Sequence, residues 1–400
     1  MLLKALYVSF VFFVLLRIGL NSLILNQFMN YTTLQGSIVE KIHPASYGIA
    51  LVVAVLLLSF RIELSAADLR ILRAILVFCT GVTLLLAMLV FIGLTTSIGY
   101  VLDTYLIACL TAFGLMCFPA AWRPRLCELI LALFVLSALV AIAEFATHAR
   151  LLPYAGGEDT FRPTGLSEHP LQLGQWCAIG ICFACIPRWP IVLKLVVVTV
   201  LLVGALVSGA RVATLCACLS CVAFLIAVPI NAPSRQDVLQ RKLMLAIAGL
   251  FTLAAIVSAM LAAGALSRLT GGLVDQSSQA RVGIYRVFDY MTWGEILFGT
   301  DIVKVQRIAM DILGLKFIES SPVLFTVQFG LFGAIFFAGL LIYLFSVLLK
   351  GRSYIAVFAT LMFFGLSLSN NALSTKSADI LVLMFLIMSD QTVRPRPRRS

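Results

Sequence analysis

The sequence predicts an all-α polytopic membrane protein with about 12 transmembrane helices, and two observations lead to this prediction. Hydrophobic residues make up 62% of the 400 positions and charged residues only 12%, which is about half the charged share of an ordinary soluble domain. The apolar residues also fall into runs long enough to span the hydrocarbon core of a bilayer. A soluble protein has too little interior to hide so much apolar surface, so the soluble class is excluded.

Apolar windows place the expected helices along the chain. They lie at about 5–25, 46–60, 71–93, 98–120, 127–147, 170–187, 189–207, 212–230, 243–265, 322–349, 354–370 and 378–390. The first window is longer than the apolar core of a secretory signal and is not followed by a small-residue cleavage pattern, so we interpret it as a membrane helix. Since the windows leave no soluble domain, residues 1–400 are predicted to form a single membrane domain.

Lysine and arginine collect in alternate connections, which sets the expected orientation. The rule puts both termini in the cytoplasm, with residues 391–400 as a basic tail. The opposite side then holds the loop 148–169 and a long loop at 266–321. Within the long loop, Val282 and Tyr285, with Val287 or Phe288 after them, recur at roughly helical spacing, which predicts a short amphipathic helix on the membrane surface.

Several function classes find no support in the residue patterns. The net charge of +11 resides mostly in short loops, where basic residues determine topology, so we predict no nucleic-acid partner. The histidines His43, His148 and His169 lack metal-ligand spacing, and the chain has no P-loop or dinucleotide glycine pattern. We therefore predict no metal and no cofactor. All ten cysteines lie within apolar segments, as expected of small buried hydrophobic residues.

The predicted extracytoplasmic side carries arginines against the usual charge bias, and four of them are candidates for a site: Arg162, Arg211, Arg281 and Arg286. Guanidinium groups match phosphate oxygens in a bidentate fashion and stay charged at biological pH, so the cluster predicts a site for a phosphorylated ligand. In the alternative interpretation the arginines extend to the membrane interface or pair with acidic neighbours. Those neighbours are Glu158, Asp159, Glu168 and Asp275.

Glu319 ends the long loop just before a predicted membrane helix. A partly buried carboxylate there is a candidate general base toward a sugar hydroxyl, because burial raises the pKa of a carboxyl group. Acidic residues also favour helix N-termini, so a role as a helix cap is equally open.

Four more charges lie inside or near the apolar spans, where each costs on the order of 3 kcal/mol. Among them, Arg17 and Asp103 are hypothesised to pair, Glu144 is a candidate member of the outer site, and Lys194 is expected to extend toward the cytoplasmic interface.

In chain order, several short motifs resemble those of the O-antigen ligase and Wzy-type polysaccharide polymerase superfamily over about residues 160 to 350. The first two are Arg-Pro-Thr-Gly-Leu at 162–166 and Ser-Gly-Ala-Arg at 208–211. The long loop follows with Ser277, Arg281 and Tyr285 at four-residue spacing, and then Leu-Phe-Gly at 297–299. The last are Glu-Ser-Ser-Pro at 319–322 and Phe-Gly-Leu-Phe-Gly at 329–333.

This resemblance implies an enzyme of the bacterial inner membrane that transfers glycans carried on undecaprenyl pyrophosphate, with its active site facing the periplasm. It further implies that Arg162 and Arg211 hold the pyrophosphate, with Arg211 and Glu319 as catalytic residues. Arg281, Arg286, Glu168 and Tyr285 are further candidate contacts to the substrate. The loops 148–169 and 266–321 would then be periplasmic, and a flippase and a chain-length regulator of the same pathway would be the protein partners.

One departure from the family pattern bears on the reaction. Ligases begin the motif at 319 with histidine and carry glutamate nine residues later, whereas this chain has Glu319 and Gln328. The departure favours a polymerase of lipid-linked repeat units over a ligase that attaches O-antigen to lipid A-core. A transporter or flippase is the alternative of another class, disfavoured because the sequence shows no internal repeat and its polar cluster lies at the membrane edge.

Overall fold

The computed structural model describes residues 1–33, 36–96, 98–154, 161–230, 233–262, 282–315 and 318–391. Within these ranges the chain forms helices and no β-strand. We number the principal helices α1 Leu2–Gly19, α2 Pro44–Ser59, α3 Ala66–Phe91, α4 Ile98–Met116, α5 Arg123–Thr147, α6 Pro170–Phe183, α7 Ile191–Val207, α8 Arg211–Ala227, α9 Arg235–Ala262, α10 Trp293–Phe298, α11 Ile302–Asp311, α12 Ser321–Leu349, α13 Tyr354–Leu368 and α14 Asp379–Ser389. Short helical turns occur at Ser22–Leu25, Ile38–Lys41, Ala120–Trp122 and Ile284–Tyr290.

Six helical segments of the described chain are long and apolar enough to cross a bilayer, and five shorter apolar helices accompany them. The structure therefore fits a multi-pass membrane protein, as the composition predicts. The total of about 12 spans and their orientation remain predictions. The largest boundary difference is at α9, which begins at Arg235 instead of near 243. Ser234 accepts a hydrogen bond from the backbone N–H of Asp237 at 3.1 Å, so a polar first turn that hydropathy misses is helical.

Contacts divide the chain into two compact units. Unit 1 contains the described residues within Met1–Arg123, Leu273–Arg352 and Ser367–Met388. Unit 2 contains those within Pro124–Gly272, Ser353–Leu366 and Ser389–Ser400. The single membrane domain expected from sequence stays a prediction.

In unit 1, α12 packs closely against α3 because Gly81 provides room for it. A Cβ atom at Gly81 would lie 2.5 Å from Leu340, so any larger residue there would push the helices apart. Two buried aromatic rings extend the contact to α4: Tyr105 meets Phe337 edge to face, with ring centroids 4.9 Å apart.

The long loop of unit 1 carries a 3₁₀ helix at Ile284–Tyr290, where the sequence predicts a short amphipathic helix. This helix buries Ile284 and Val287, and Phe288 packs against the same cluster, while Val282 and Tyr285 are exposed. The apolar face therefore includes the predicted positions Val287 and Phe288 but not Val282 or Tyr285. The location of this helix on a membrane surface stays a prediction.

The strongly amphipathic helix of this loop is α11 instead. Its Val305 and Ala309 are buried in a cluster with Ile284, Val287 and the start of α12. The loop therefore packs on the N-terminal end of α12 through an apolar core of its own.

Unit 2 is built around α6, which packs against α7 and α8. Small residues permit these approaches: a Cβ atom at Gly174 would lie 2.7 Å from Ala213, and one at Gly204 would lie 2.7 Å from Ala138. Small residues at helix contacts are the usual means of close packing in membranes, because lipid provides no hydrophobic force between helices. This packing brings the end of α5, the start of α6, the end of α7 and the start of α8 to one end of the unit.

Candidate functional site

The segment that carries the first motif, residues 161–169, is held in place by a buried carboxylate near the end of α5. Glu144 accepts hydrogen bonds from the backbone N–H groups of Thr164 at 2.9 Å and Gly165 at 2.8 Å. Its other oxygen accepts from the N–H of Leu151 at 2.8 Å. Such charge-assisted bonds are stronger than neutral ones, so Glu144 fixes both sides of this loop.

Gly165 lets the same segment lie directly on α5. Its φ is +57°, a conformation that L residues with a side chain rarely adopt, and a Cβ atom would approach the carbonyl oxygen of Ser137 to 2.3 Å. The neighbouring N–H of Leu166 donates to the Ser137 hydroxyl at 3.0 Å. The backbone conformation and the close contact with α5 therefore require glycine at this position of the motif Arg-Pro-Thr-Gly-Leu.

Arg162 extends from this loop to the turn between α7 and α8. Its Nε donates a hydrogen bond to the carbonyl oxygen of Ser208 at 3.0 Å, and its side chain is almost fully buried. Gly209 follows with φ +63°, beside the Arg162 side chain. The structure thus brings the first two sequence motifs together, 46 residues apart in the chain.

Arg211 is the first residue of α8 and follows the same turn directly. A helix N-terminus presents partly positive backbone N–H groups, and an arginine there adds a full positive charge. Arg162 and Arg211 therefore bring two guanidinium groups to the same turn of unit 2. Glu168 is half-buried nearby in sequence, and its backbone N–H donates to Oε1 of Gln172 at 3.0 Å.

Arg150 is a member of this region that the sequence argument missed. Its Nε donates to the carbonyl oxygen of Arg162 at 3.1 Å. Its guanidinium also lies 4.4 Å from the ring centre of Tyr154 and 5.1 Å from that of Phe161. Arg150 supports the backbone at Arg162 by stacking on aromatic rings, and no spacing rule on the sequence points to such a contact.

Glu319 lies in unit 1, half-buried, immediately before the cap of α12. The capping residue is Ser320, whose hydroxyl accepts from the N–H of Val323 at 3.5 Å. Ser321 fixes the helix start further by donating from its hydroxyl to the carbonyl oxygen of Asn370 at 2.7 Å. The N-cap position of α12 is therefore occupied by Ser320, and Glu319 precedes it.

The motif Leu-Phe-Gly at 297–299 meets the motif Phe-Gly-Leu-Phe-Gly at 329–333 at a break inside α12. Gly330 has φ +69° within the helix, and a Cβ atom there would lie 2.2 Å from the carbonyl oxygen of Leu297. Gly299 lies opposite it with φ +93°, and a Cβ atom there would lie 3.0 Å from the carbonyl oxygen of Gln328. The N–H of Thr300 donates to the carbonyl oxygen of Val327 at 2.8 Å. Both glycines are required for the loop to enter the break.

The remaining predicted site residues belong to the long loop of unit 1. Tyr285 and Arg286 are exposed on the 3₁₀ helix that shares an apolar cluster with Ile318, so they belong to the same part of unit 1 as Glu319. Arg281 lies outside the described residues. The structure thus gives two local groups, one in each unit, and each is described by itself.

The hypothesised pair of Arg17 and Asp103 is present in unit 1. A nitrogen of Arg17 lies 3.0 Å from Oδ2 of Asp103, and both side chains are buried. Asp103 sits in a π-helical turn at Leu102–Leu106 within α4 and also accepts from the Tyr31 hydroxyl, the Ser46 hydroxyl and the N–H of His43. Four donors on two oxygens satisfy this carboxylate fully.

Comparisons of the chain with protein-family models, with curated proteins and with solved structures find no match.

Proposed function

We propose that this protein is a glycosyltransferase that polymerises oligosaccharide repeat units linked to undecaprenyl pyrophosphate, at the outer face of a bacterial inner membrane. The observation that carries the proposal is the contact of Arg162 with the turn that begins α8 at Arg211. It places two motifs of the resembled superfamily at one end of the unit 2 helices, with the positive charge that a pyrophosphate needs.

In the proposed reaction, a sugar hydroxyl of an acceptor repeat unit attacks the anomeric carbon of the donor glycan. A new glycosidic C–O bond forms while the bond from the anomeric carbon to the pyrophosphate oxygen breaks, with inversion. The electron pair leaves with undecaprenyl pyrophosphate, whose developing negative charge Arg162 and Arg211 stabilise. The hydroxyl proton goes to a general base, for which the family resemblance nominates Glu319. Pyrophosphate is a good leaving group, so one base suffices where glycosidases use a pair of carboxylates.

The buried framework around Arg162 supports a positioning function for this end of unit 2. The Glu144 carboxylate holds the backbone on one side of the arginine, and the Ser208 carbonyl oxygen holds the side chain itself. A cation fixed in advance stabilises charge as it develops, without reorganisation during the reaction. Such an arrangement suits a transition state better than a mobile surface arginine does.

The test is a reconstituted reaction. Purified protein in liposomes receives an undecaprenyl-pyrophosphate-linked oligosaccharide, and the products are separated by length on a gel. Wild type should extend the oligosaccharide, whereas Arg162→Ala and Arg211→Ala should each lower the rate by about 100-fold or more, the usual cost of removing a fixed charge-stabilising donor. Arg235→Ala is the matched control, since Arg235 is also the first residue of a helix and is exposed.

Three outcomes would overturn the proposal: no extension by wild type, full activity in both arginine variants, or an equal loss in the Arg235 control. Transfer only to lipid A-core, when that acceptor is supplied, would identify a ligase. Glu319→Gln should slow transfer with the donor still bound, and an unchanged rate would remove the base assignment.

A further inference from the structure

At the end of unit 2 opposite Arg162 and Arg211, two adjacent cavities share Trp189, Ile191 and Pro229 as common walls. We call this pair the Trp189 groove. The first cavity has a volume of about 540 Å³ and lies among the end of α6, the start of α7, the end of α8 and the start of α13. The second has a volume of about 500 Å³ and reaches Arg241 and Met244 on α9. The proposed function makes no use of this groove.

Positive charge lines the groove. Lys194 is 4% exposed and lines the first cavity, where its Nζ donates one hydrogen bond, to the carbonyl oxygen of Cys185 at 2.9 Å. Among the described residues, no carboxylate pairs with this ammonium group. An ammonium has three donors, and a buried charge is costly unless it is neutralised. Among the described residues, two of its three donors therefore remain available to an anionic group in the cavity.

Two further cations stand at the groove. Arg188 is exposed on the rim of the first cavity, where the described residues offer it no hydrogen-bond or ion-pair partner. Arg241 lines the second cavity. One carboxylate, that of Asp390, adjoins the wall of the first cavity at Ser353. Ser353 donates to it from its N–H at 2.9 Å and from its hydroxyl at 2.6 Å. The three cations outnumber this one acidic group. The groove itself thus carries net positive charge.

The walls and the neighbouring helix have lipid-facing character. In α9, none of the apolar window within Arg235–Ala255 is buried, and Leu243, Met244 and Ile247 are exposed. A groove between such a helix and its neighbours is filled by acyl chains when the protein is in a bilayer. Trp189 and Tyr354 at the groove are of the residue types that accumulate at the headgroup level of membranes.

We infer that the Trp189 groove binds an anionic glycerophospholipid, with its phosphodiester between Arg188 and Lys194 and its acyl chains along the apolar face of α9. Basic pockets between membrane helices are a recognised way to select anionic headgroups, because the phosphate neutralises charge that water reaches poorly. A zwitterionic lipid offers the same phosphate but brings its own ammonium group against the cations. The charge of the groove therefore selects against it.

The test measures lipid affinity on the purified full chain by native mass spectrometry. Phosphatidylglycerol and phosphatidylcholine are titrated separately, and glycerophosphoglycerol serves as a headgroup without acyl chains. Wild type should bind phosphatidylglycerol at least about 5-fold more tightly than phosphatidylcholine, the effect of one membrane-proximal cation at about 1 kcal/mol. Arg188→Gln and Lys194→Met should each weaken phosphatidylglycerol binding by about 5-fold, and the double variant by about 30-fold.

Arg235→Gln is the matched control, because Arg235 lies on α9 but lines neither cavity. Its affinity should equal that of wild type. Equal binding of the two lipids by wild type, or an equal loss in Arg235→Gln and Arg188→Gln, would overturn the inference. Equal binding of glycerophosphoglycerol and phosphatidylglycerol would also overturn it, by showing a site for soluble anions. Arg188 is exposed, so Arg188→Gln keeps the test valid if Lys194→Met fails to fold.

Discussion

Arg17 in unit 1 and Lys194 in unit 2 are both buried cations within apolar helices, yet their surroundings differ. Arg17 lies 3.0 Å from the carboxylate of Asp103, which three further donors also reach. Lys194 meets a backbone carbonyl oxygen and the wall of a cavity. The first charge is neutralised within the protein and stabilises the packing of α1 on α4. The second is left for a ligand.

Glu144 shows an intermediate arrangement. Its carboxylate is buried like that of Asp103, but it is satisfied by backbone N–H groups of a loop and not by an opposite charge. It therefore orders the segment that carries Arg162. The three cases show that the partner of a buried charge, and not its burial, indicates whether its role is structural, positioning or binding.

The largest expected effect is at the neutralised pair. Asp103→Leu should lower the free energy of unfolding by about 3–5 kcal/mol, because it leaves Arg17 as an uncompensated buried charge. Denaturation in mixed micelles, followed by helicity, measures this change. The double variant Arg17→Leu/Asp103→Leu should recover part of the loss, and equal instability of the single and double variants would contradict the role of the ion pair.

The next effect is at the positioning carboxylate. Glu144→Gln should lower stability by about 1.5–3 kcal/mol, since it weakens charge-assisted hydrogen bonds to Thr164 and Gly165. The rate of glycan extension should also fall, because Arg162 loses its fixed backbone. Glu128→Gln on the same helix is the control, and stability and turnover indistinguishable between the two variants would refute the positioning role.

At Lys194 the expected effect on stability is much smaller than that at Asp103. Lys194→Met should change stability in lipid-free detergent by less than about 1 kcal/mol, because the one lost hydrogen bond is offset by removal of a buried charge. Addition of phosphatidylglycerol should raise the melting temperature of wild type more than that of the variant. A loss as large as that of Asp103→Leu would show that Lys194 is a structural charge.

The smallest effect concerns a surface pair in the long loop. The ammonium of Lys304 donates a hydrogen bond to Glu295, and this bond, together with those from Thr292 and Thr300, lowers the pKa of that carboxyl to about 2 from 4.5. Because the folded pKa is the lower one, the pair adds stability above pH 4.5 and loses it as the pH falls toward 2. Lys304→Ala should cost at most about 1 kcal/mol at neutral pH, and less in high salt. Melting curves at pH 7, pH 3 and about pH 1.5 measure the difference, which should shrink at pH 3 and vanish only at the lowest pH if the pair is its cause.

The positions of most helices could be predicted from the sequence, whereas contacts between distant residues could not. The start of α12 at Ser321 follows from an apolar run after Ser320 and Pro322, which are local signals. The apolar face at Ile284–Tyr290 was predicted in part: it includes Val287 and Phe288 but neither Val282 nor Tyr285, because packing against α12 selects the buried positions. The candidate residues Arg162 and Arg211 were chosen from sequence, but Arg150 was not, since its support of Arg162 is a tertiary contact.

The sequence by itself determined that the chain belongs in a membrane, roughly where its helices lie, and which charges inside them need an explanation. These properties depend on runs of neighbouring residues and on the cost of placing charge in hydrocarbon, both of which are local. Only the tertiary structure decided that Asp103 neutralises Arg17, that Glu144 holds the loop of Arg162, and that Lys194 faces a cavity. Those outcomes depend on which helices touch, and a charge is satisfied or left for a ligand by groups far away in the chain.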